Sequence, residues 1–175
     1  AGVCGKDAST AKLQDELTGA LIGLVKTCGS NPKTENTDRI IIEGLFTTIT
    51  NVNFNNQTLQ DMIDKVHNEK NIISPGCSAC EARCGNTDDY DMERLWNGPD
   101  QVRSLKIRLF SGLKKTGRDA FKVIENGKGK DKHFQSIMES IYKGLFILAE
   151  DWEPEEILPA IAELDEAEIM VKEFL

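Results

Sequence analysis

The groups in this chain best suited to metal or redox chemistry are its five cysteines, three of which stand within eight positions of one another. Cys77, Cys80 and Cys84 form a C-x2-C-x3-C array, a spacing that gathers three thiolates within one or two turns of chain. Three such thiolates hold zinc when a fourth ligand joins them, and His67, Cys28, Asp88, Asp89 and Asp91 are the candidates. The same three can instead carry a site-differentiated iron–sulfur cluster. The plainer reading is a loosely packed linker with free thiols, or with one disulfide formed in air. No second cysteine pair is present to complete a zinc ribbon. Cys4 stands apart, flanked by Gly2 and Gly5, which let the backbone turn closely around a ligand. One thiolate cannot hold a cluster, and taken alone Cys4 is a small residue ahead of a helix.

The remaining polar groups point away from hydrolytic chemistry. His67 and His133 are the only histidines, and neither belongs to a Ser-His-Asp or Cys-His pattern, so both read as surface or capping residues. Glu150, Asp151, Glu153, Glu155 and Glu156 surround Trp152 in a run that suits a solvated helix start, where the helix dipole favours negative charge. The segment from Asn126 to Lys130 has glycines and lysines but lacks the strand and spacing of a phosphate loop. Trp96 and Trp152 are assigned to packing.

Composition bounds the setting of these groups. A chain of 175 residues with 39% hydrophobic and 29% charged residues describes one folded domain or two small bundles. The net charge of −8 argues against nucleic acid and against an anionic membrane surface. No segment reaches the ~20 apolar residues of a membrane span. An odd number of unevenly placed cysteines suits a reducing compartment, so a cytoplasmic location is expected.

The elements that must position the cysteines read as helices throughout. Leu13, Leu17, Ala20, Leu21, Leu24 and Val25 recur at three- and four-residue spacing, with Gly29 as a stop and Pro32 as a break. A second helix is expected from about Thr37 through Ile40, Ile41, Leu45, Phe46 and Ile49. A third is expected to open with a capping box at Thr58 to Asp61 and continue through Ile63 and Val66. The order then returns: Leu105, Leu109 and Leu113 follow Leu13, Leu17 and Leu21 at a constant spacing of 92 positions. Gly144-Leu145-Phe146 follows Gly44-Leu45-Phe46 at 100. Pro154 suits the first turn of a last helix. The expected fold class is all-α: two antiparallel three-helix bundles related by internal duplication, 1–73 and 100–175, joined by a cysteine-containing linker at 74–99. Leu13, Leu17, Leu21, Leu45 and Phe46 should line one core. Leu105, Leu109, Leu113, Leu145 and Phe146 should line the other.

Three stretches together carry a resemblance: the entry Cys4-Gly5-Lys6, the helix Leu13-Gln14-Asp15 and the run Gly44-Leu45-Phe46-Thr47-Thr48-Ile49-Thr50-Asn51-Val52-Asn53. They resemble the N-terminal helical region of the hybrid-cluster proteins, also called prismane proteins or hydroxylamine reductases. The resemblance reaches both halves of the chain and is weakest in the linker. It implies two helical bundles set at an angle and a parent oxidoreductase that reduces hydroxylamine or a small nitrogen oxide at a hybrid iron–sulfur–oxygen cluster held by later domains. It also implies that Cys4 is one of four thiolates of an N-terminal 4Fe-4S electron-transfer cluster, the other three lying upstream. The chain is then expected to be a fragment, catalytically inert and without a cubane. Its partners would be the remaining domains and an electron donor.

Two alternatives stand beside this reading. The helical domain of a nickel carbon monoxide dehydrogenase shares the architecture, although the Thr-Ile-Thr-Asn run favours the hybrid-cluster side. The other is a non-enzymatic helical interaction module with a three-cysteine zinc site at Cys77, Cys80 and Cys84.

Overall fold

Helices account for the regular structure of residues 8–50, 55–75 and 88–175, the residues that the computed structural model of the chain describes. Seven helices and no strand occur among them, as an all-α fold requires. The chain divides into two compact units, one running to Met92 and one beginning at Glu93.

The first unit holds α1 (Ala8–Cys28), α2 (Thr37–Thr50) and α3 (Asn56–Ile73). The apolar period of α1 buries Leu17, Leu21 and Leu24 completely, and these pack with Ile41, Leu45, Leu59 and Val66 from the other two helices. Contacts between helices give the direction of each. Gln14 near the start of α1 donates to the Thr48 carbonyl near the end of α2, 3.3 Å away. Thr10 donates to the Asn56 side chain at 2.6 Å, so α1 and α3 start together and α2 runs against both. Thr34 and Thr37 both donate hydroxyls to Glu69 Oε1, at 2.6 and 3.0 Å, tying the α1–α2 turn to α3. Glu69 is only 3% exposed, and this pair of donors is what makes a buried carboxylate tolerable. The third helix begins earlier than its Thr58 capping box would place it. Asn55 supplies the cap instead, its side chain accepting from the backbone of Gln57 at 3.0 Å, because an Asn side chain at that point meets the first unpaired N–H groups.

The second unit holds a single turn, α4 (Glu93–Trp96), then α5 (Asp100–Glu125), α6 (Lys132–Ala149) and α7 (Pro154–Lys172). The α5–α6 turn uses Gly127 at φ 78°, a left-handed conformation that costs glycine nothing. Asp131 caps α6 by accepting from the His133 N–H at 2.8 Å. Pro154 opens α7, and the Glu156 carboxylate accepts the Glu153 N–H at 2.9 Å, so the acidic run is a helix start. Lys143 pairs with Glu163 at 2.7 Å and Phe134 meets Phe174 edge-on at 6.2 Å, so α6 and α7 run in opposite directions. Leu109, Leu113, Ile141, Leu145 and Leu164 form the core of this unit.

The expected core residues divide by their position around each helix. Leu17, Leu21, Leu45, Leu109, Leu113 and Leu145 are fully buried. Leu13, Phe46 and Leu105 are half-buried. Phe146 is not a core residue: it is 38% exposed and packs against Trp152 with the rings tilted and their centroids 5.9 Å apart. It follows Leu145 by about 100° around the helix, which turns it off the face that Leu145 buries. Each unit has within it a close approach of a leucine to a glycine, at matching positions. A Cβ on Gly44 would lie 2.6 Å from Leu21 Cδ2, and one on Gly144 would lie 2.8 Å from Leu113 Cδ2.

Candidate functional site

Cys4, Cys77, Cys80 and Cys84 all lie outside the described residues. The one described cysteine is Cys28, at the C-terminal end of α1, half-buried and not in a disulfide. Burial pushes its thiol up to about 11, with Lys33 pulling the other way and Asp38 and Glu69 adding to the rise. A thiol held protonated at neutral pH is a poor nucleophile and a poor metal ligand.

His67, Asp88 and Asp89, offered above as ligands to complete a zinc site, come together on α3 and the stretch after the cysteine array. His67 Nε2 meets Asp89 Oδ2 at 2.6 Å, and Lys70 Nζ lies 3.3 Å from Asp89 Oδ1. With Asn71 and Asp88 they line an open cavity of about 500 Å³. The Lys70 side chain is 6% exposed, so its charge is compensated inside the protein. Sequence reasoning missed Lys70 in this cluster, because a lysine on an amphipathic helix ordinarily reads as solvated.

Two glycines shape the same region. Gly19 and Gly23 lie one turn apart on α1, and the backbone of Asp88 to Tyr90 passes against them. The Tyr90 N–H donates to the Gly19 carbonyl at 3.0 Å. Two glycines four apart in an apolar helix are the sequence signal for such a close approach.

The second unit has one buried cation of note. Lys106 is 5% exposed and donates to the Glu150 carbonyl at 2.7 Å. That carbonyl stands at the C-terminal end of α6, where the helix dipole favours a positive group. Burial holds its amine below the ordinary lysine value, while Asp151 pulls it back up. The groove of about 360 Å³ between α6 and α7 is bridged by the Lys143–Glu163 pair.

Among the described residues no group of three or more His, Cys, Asp or Glu is placed to hold a metal ion. The described donor set therefore does not fit an iron–sulfur cluster, which needs several thiolates together. No helix among the described residues is long and apolar enough to cross a membrane.

Comparison with known proteins adds what the described geometry lacks. A sequence model described as the Prismane/CO dehydrogenase family matches residues 1–173. The chain belongs to this family. Among its prismane relatives, the hydroxylamine reductase of Caldanaerobacter subterraneus subsp. tengcongensis is 52% identical over 166 residues, covering 82% of this chain and 30% of that protein. The hydroxylamine reductase of Methanococcus vannielii is 35% identical over 114 residues, 61% of this chain and 21% of that protein. That of Petrotoga mobilis is 32% identical over 141 residues, 65% of this chain and 26% of that protein. The chain thus spans less than a third of the length of the relatives it matches.

Proposed function

We propose that this chain is the helical part of a hydroxylamine reductase that reduces hydroxylamine, or a small nitrogen oxide, with electrons delivered through iron–sulfur clusters. The observation that carries the proposal is the family match over nearly the whole chain, together with these relatives, each named hydroxylamine reductase. Those names favour this reading over the carbon monoxide dehydrogenase branch of the same family. The role of this part is cluster shielding and electron entry, with Cys4 as one thiolate of the 4Fe-4S cluster. Its three companion thiolates come from outside residues 1–175. The hybrid cluster would be held by other domains, and an electron donor would dock on the assembled enzyme in the cytoplasm.

Two supports for the architecture belong to the same proposal. Both triplets of long helices run up, down and up, and both seat a leucine against a glycine at matching positions, Leu21 on Gly44 and Leu113 on Gly144. We infer from this that the units are duplicates, with Phe146 the position at which they part. A zinc site at Cys77, Cys80 and Cys84 gains no support from the described residues.

Turnover of hydroxylamine tests the reading. The reaction takes two electrons and two protons and yields ammonia and water. The intact natural protein, loaded with iron and reduced by a low-potential dye, should consume dye in step with ammonia formed. Residues 1–175 alone should show no turnover and should not take up about four irons through Cys4 on anaerobic reconstitution. Oxidation of carbon monoxide by the intact protein, with hydroxylamine left untouched, would overturn the proposal.

A further inference from the structure

Residues 88–92 leave the cysteine-bearing stretch and cross the first unit without forming a helix. Their path is set by two independent features. On α1, Gly19 and Gly23 remove the side chains that would stand in the way. A Cβ at Gly23 would lie 3.1 Å from the Asp88 carbonyl oxygen and 3.3 Å from the Asp89 Cα, and one at Gly19 would strike the Tyr90 carbonyl oxygen. Backbone cannot give way as a side-chain tip can. Glycine is a poor residue for a helix interior, so a pair of them in the most buried stretch of α1 marks a requirement for space. On α3, His67 and Lys70 take the two carboxylate oxygens of Asp89, one each. Met92, 3% exposed, anchors the far end.

We infer that residues 88–92 are a clasp, a strap seated in the groove opened by Gly19 and Gly23, pinned to α3 by Asp89, and able to lift off without unfolding the helices beneath. The core of the unit explains the independence. Leu17, Leu21, Leu45, Leu59 and Val66 are fully buried residues of the three helices, whereas Asp88, Asp89 and Asp91 are exposed. The Asp89 side chain is 36% exposed, so water screens its ion pairs. The His67–Asp89 bond is open to solvent on both sides, and segments pinned by such bonds lie toward the low end of the local stability range. Its opening uncovers the Gly19 and Gly23 groove while the helices stay folded. This inference is independent of the hydroxylamine reductase reading.

Amide hydrogen exchange on residues 1–175 tests it. In the unaltered chain the Tyr90 amide should be protected relative to an unstructured peptide, yet exchange at a rate that dilute urea does not change, the signature of local opening. The amides of Leu21, Leu24, Ile63 and Val66 should exchange far more slowly and respond to urea. Asp89→Asn keeps the shape and removes the charge. It should speed Tyr90 exchange about tenfold, the equivalent of one ordinary hydrogen bond, and leave the four core amides within about twofold. Gly19→Ala should do the same through the groove, and Asp89→Asn keeps the test open where that variant does not fold. A Tyr90 amide that exchanges at the free-peptide rate, that moves with the core amides in urea, or that ignores Asp89→Asn would overturn the clasp.

Discussion

Replacing Gly144 by Ala tests whether the second unit is packed as tightly as its geometry requires. Two effects oppose each other at this position. Alanine is the better helix former by about 1 kcal/mol in a helix interior. Against that, the added Cβ would sit 2.8 Å from Leu113 Cδ2, 3.4 Å from its Cγ and 3.5 Å from its Cδ1. Leu113 is fully buried, so its side-chain tip must shift against packed neighbours, and overpacking should cost about 1–3 kcal/mol. The net expectation is a loss of about 1 kcal/mol, with packing winning over propensity. Leu113→Ala alone should cost about 2–5 kcal/mol. On that background Gly144→Ala meets no obstacle and should stabilise by about 1 kcal/mol. The change of sign amounts to a coupling of about 2 kcal/mol, typical of residues in contact. Urea unfolding followed by tryptophan fluorescence is the assay, because the chain has two tryptophans, Trp96 and Trp152, and both lie in this unit. If Gly144→Ala stabilises by the same amount with and without Leu113, the close contact is absent and the packing argument is refuted.

Other outcomes follow from the buried titratable groups. Burial lowers the Lys106 pKa from its ordinary 10.5, so the unfolded chain binds that proton more tightly than the native one. Stability should therefore rise with pH from the lowered native value up to the ordinary one, and the full penalty should stand at lower pH. Lys106→Met should flatten that slope without destabilising, since the Glu150 carbonyl keeps the Trp152 backbone N–H as a donor at 3.0 Å. A large loss at neutral pH would count against this. Cys28, raised from 9.0 to about 11, should alkylate about a hundredfold more slowly at pH 8 than the same thiol in urea. Equal rates would show the thiol to be exposed. The same rise makes protonated Cys28 stabilising below its ordinary value, a contribution lost as pH climbs through the raised one, which a Cys28→Ala variant should lack.

The long helices were legible in the sequence because their apolar residues repeat at helical spacing and their ends carry recognisable breaks. Leu17, Leu21 and Leu24 mark α1, Gly29 and Pro32 end it, and Pro154 opens α7. Features fixed by tertiary contact were not legible. The Asp88-to-Met92 strap has no period of its own and takes its path from glycines far earlier in the chain. Lys106 is buried because the end of α6 offers it a carbonyl, which no local pattern announces. Phe146 looked like core because it follows Leu145 in a repeated motif, yet a one-residue step turns it outward onto Trp152. The candidate site was legible only through resemblance. Cys4 gains meaning from the motif around it, whereas the described cysteine, Cys28, carries burial and no partner set for a metal.

The most direct test of the account is the iron content of the intact natural protein before and after Cys4→Ala, purified without oxygen. If Cys4 is a thiolate of an electron-entry cluster, the variant should lose about four irons per chain and its dye-driven hydroxylamine reduction, while keeping the helical spectrum of the parent and the iron of its other cluster. An unchanged iron count with undiminished turnover would contradict the assignment of Cys4 and the role proposed for this helical region.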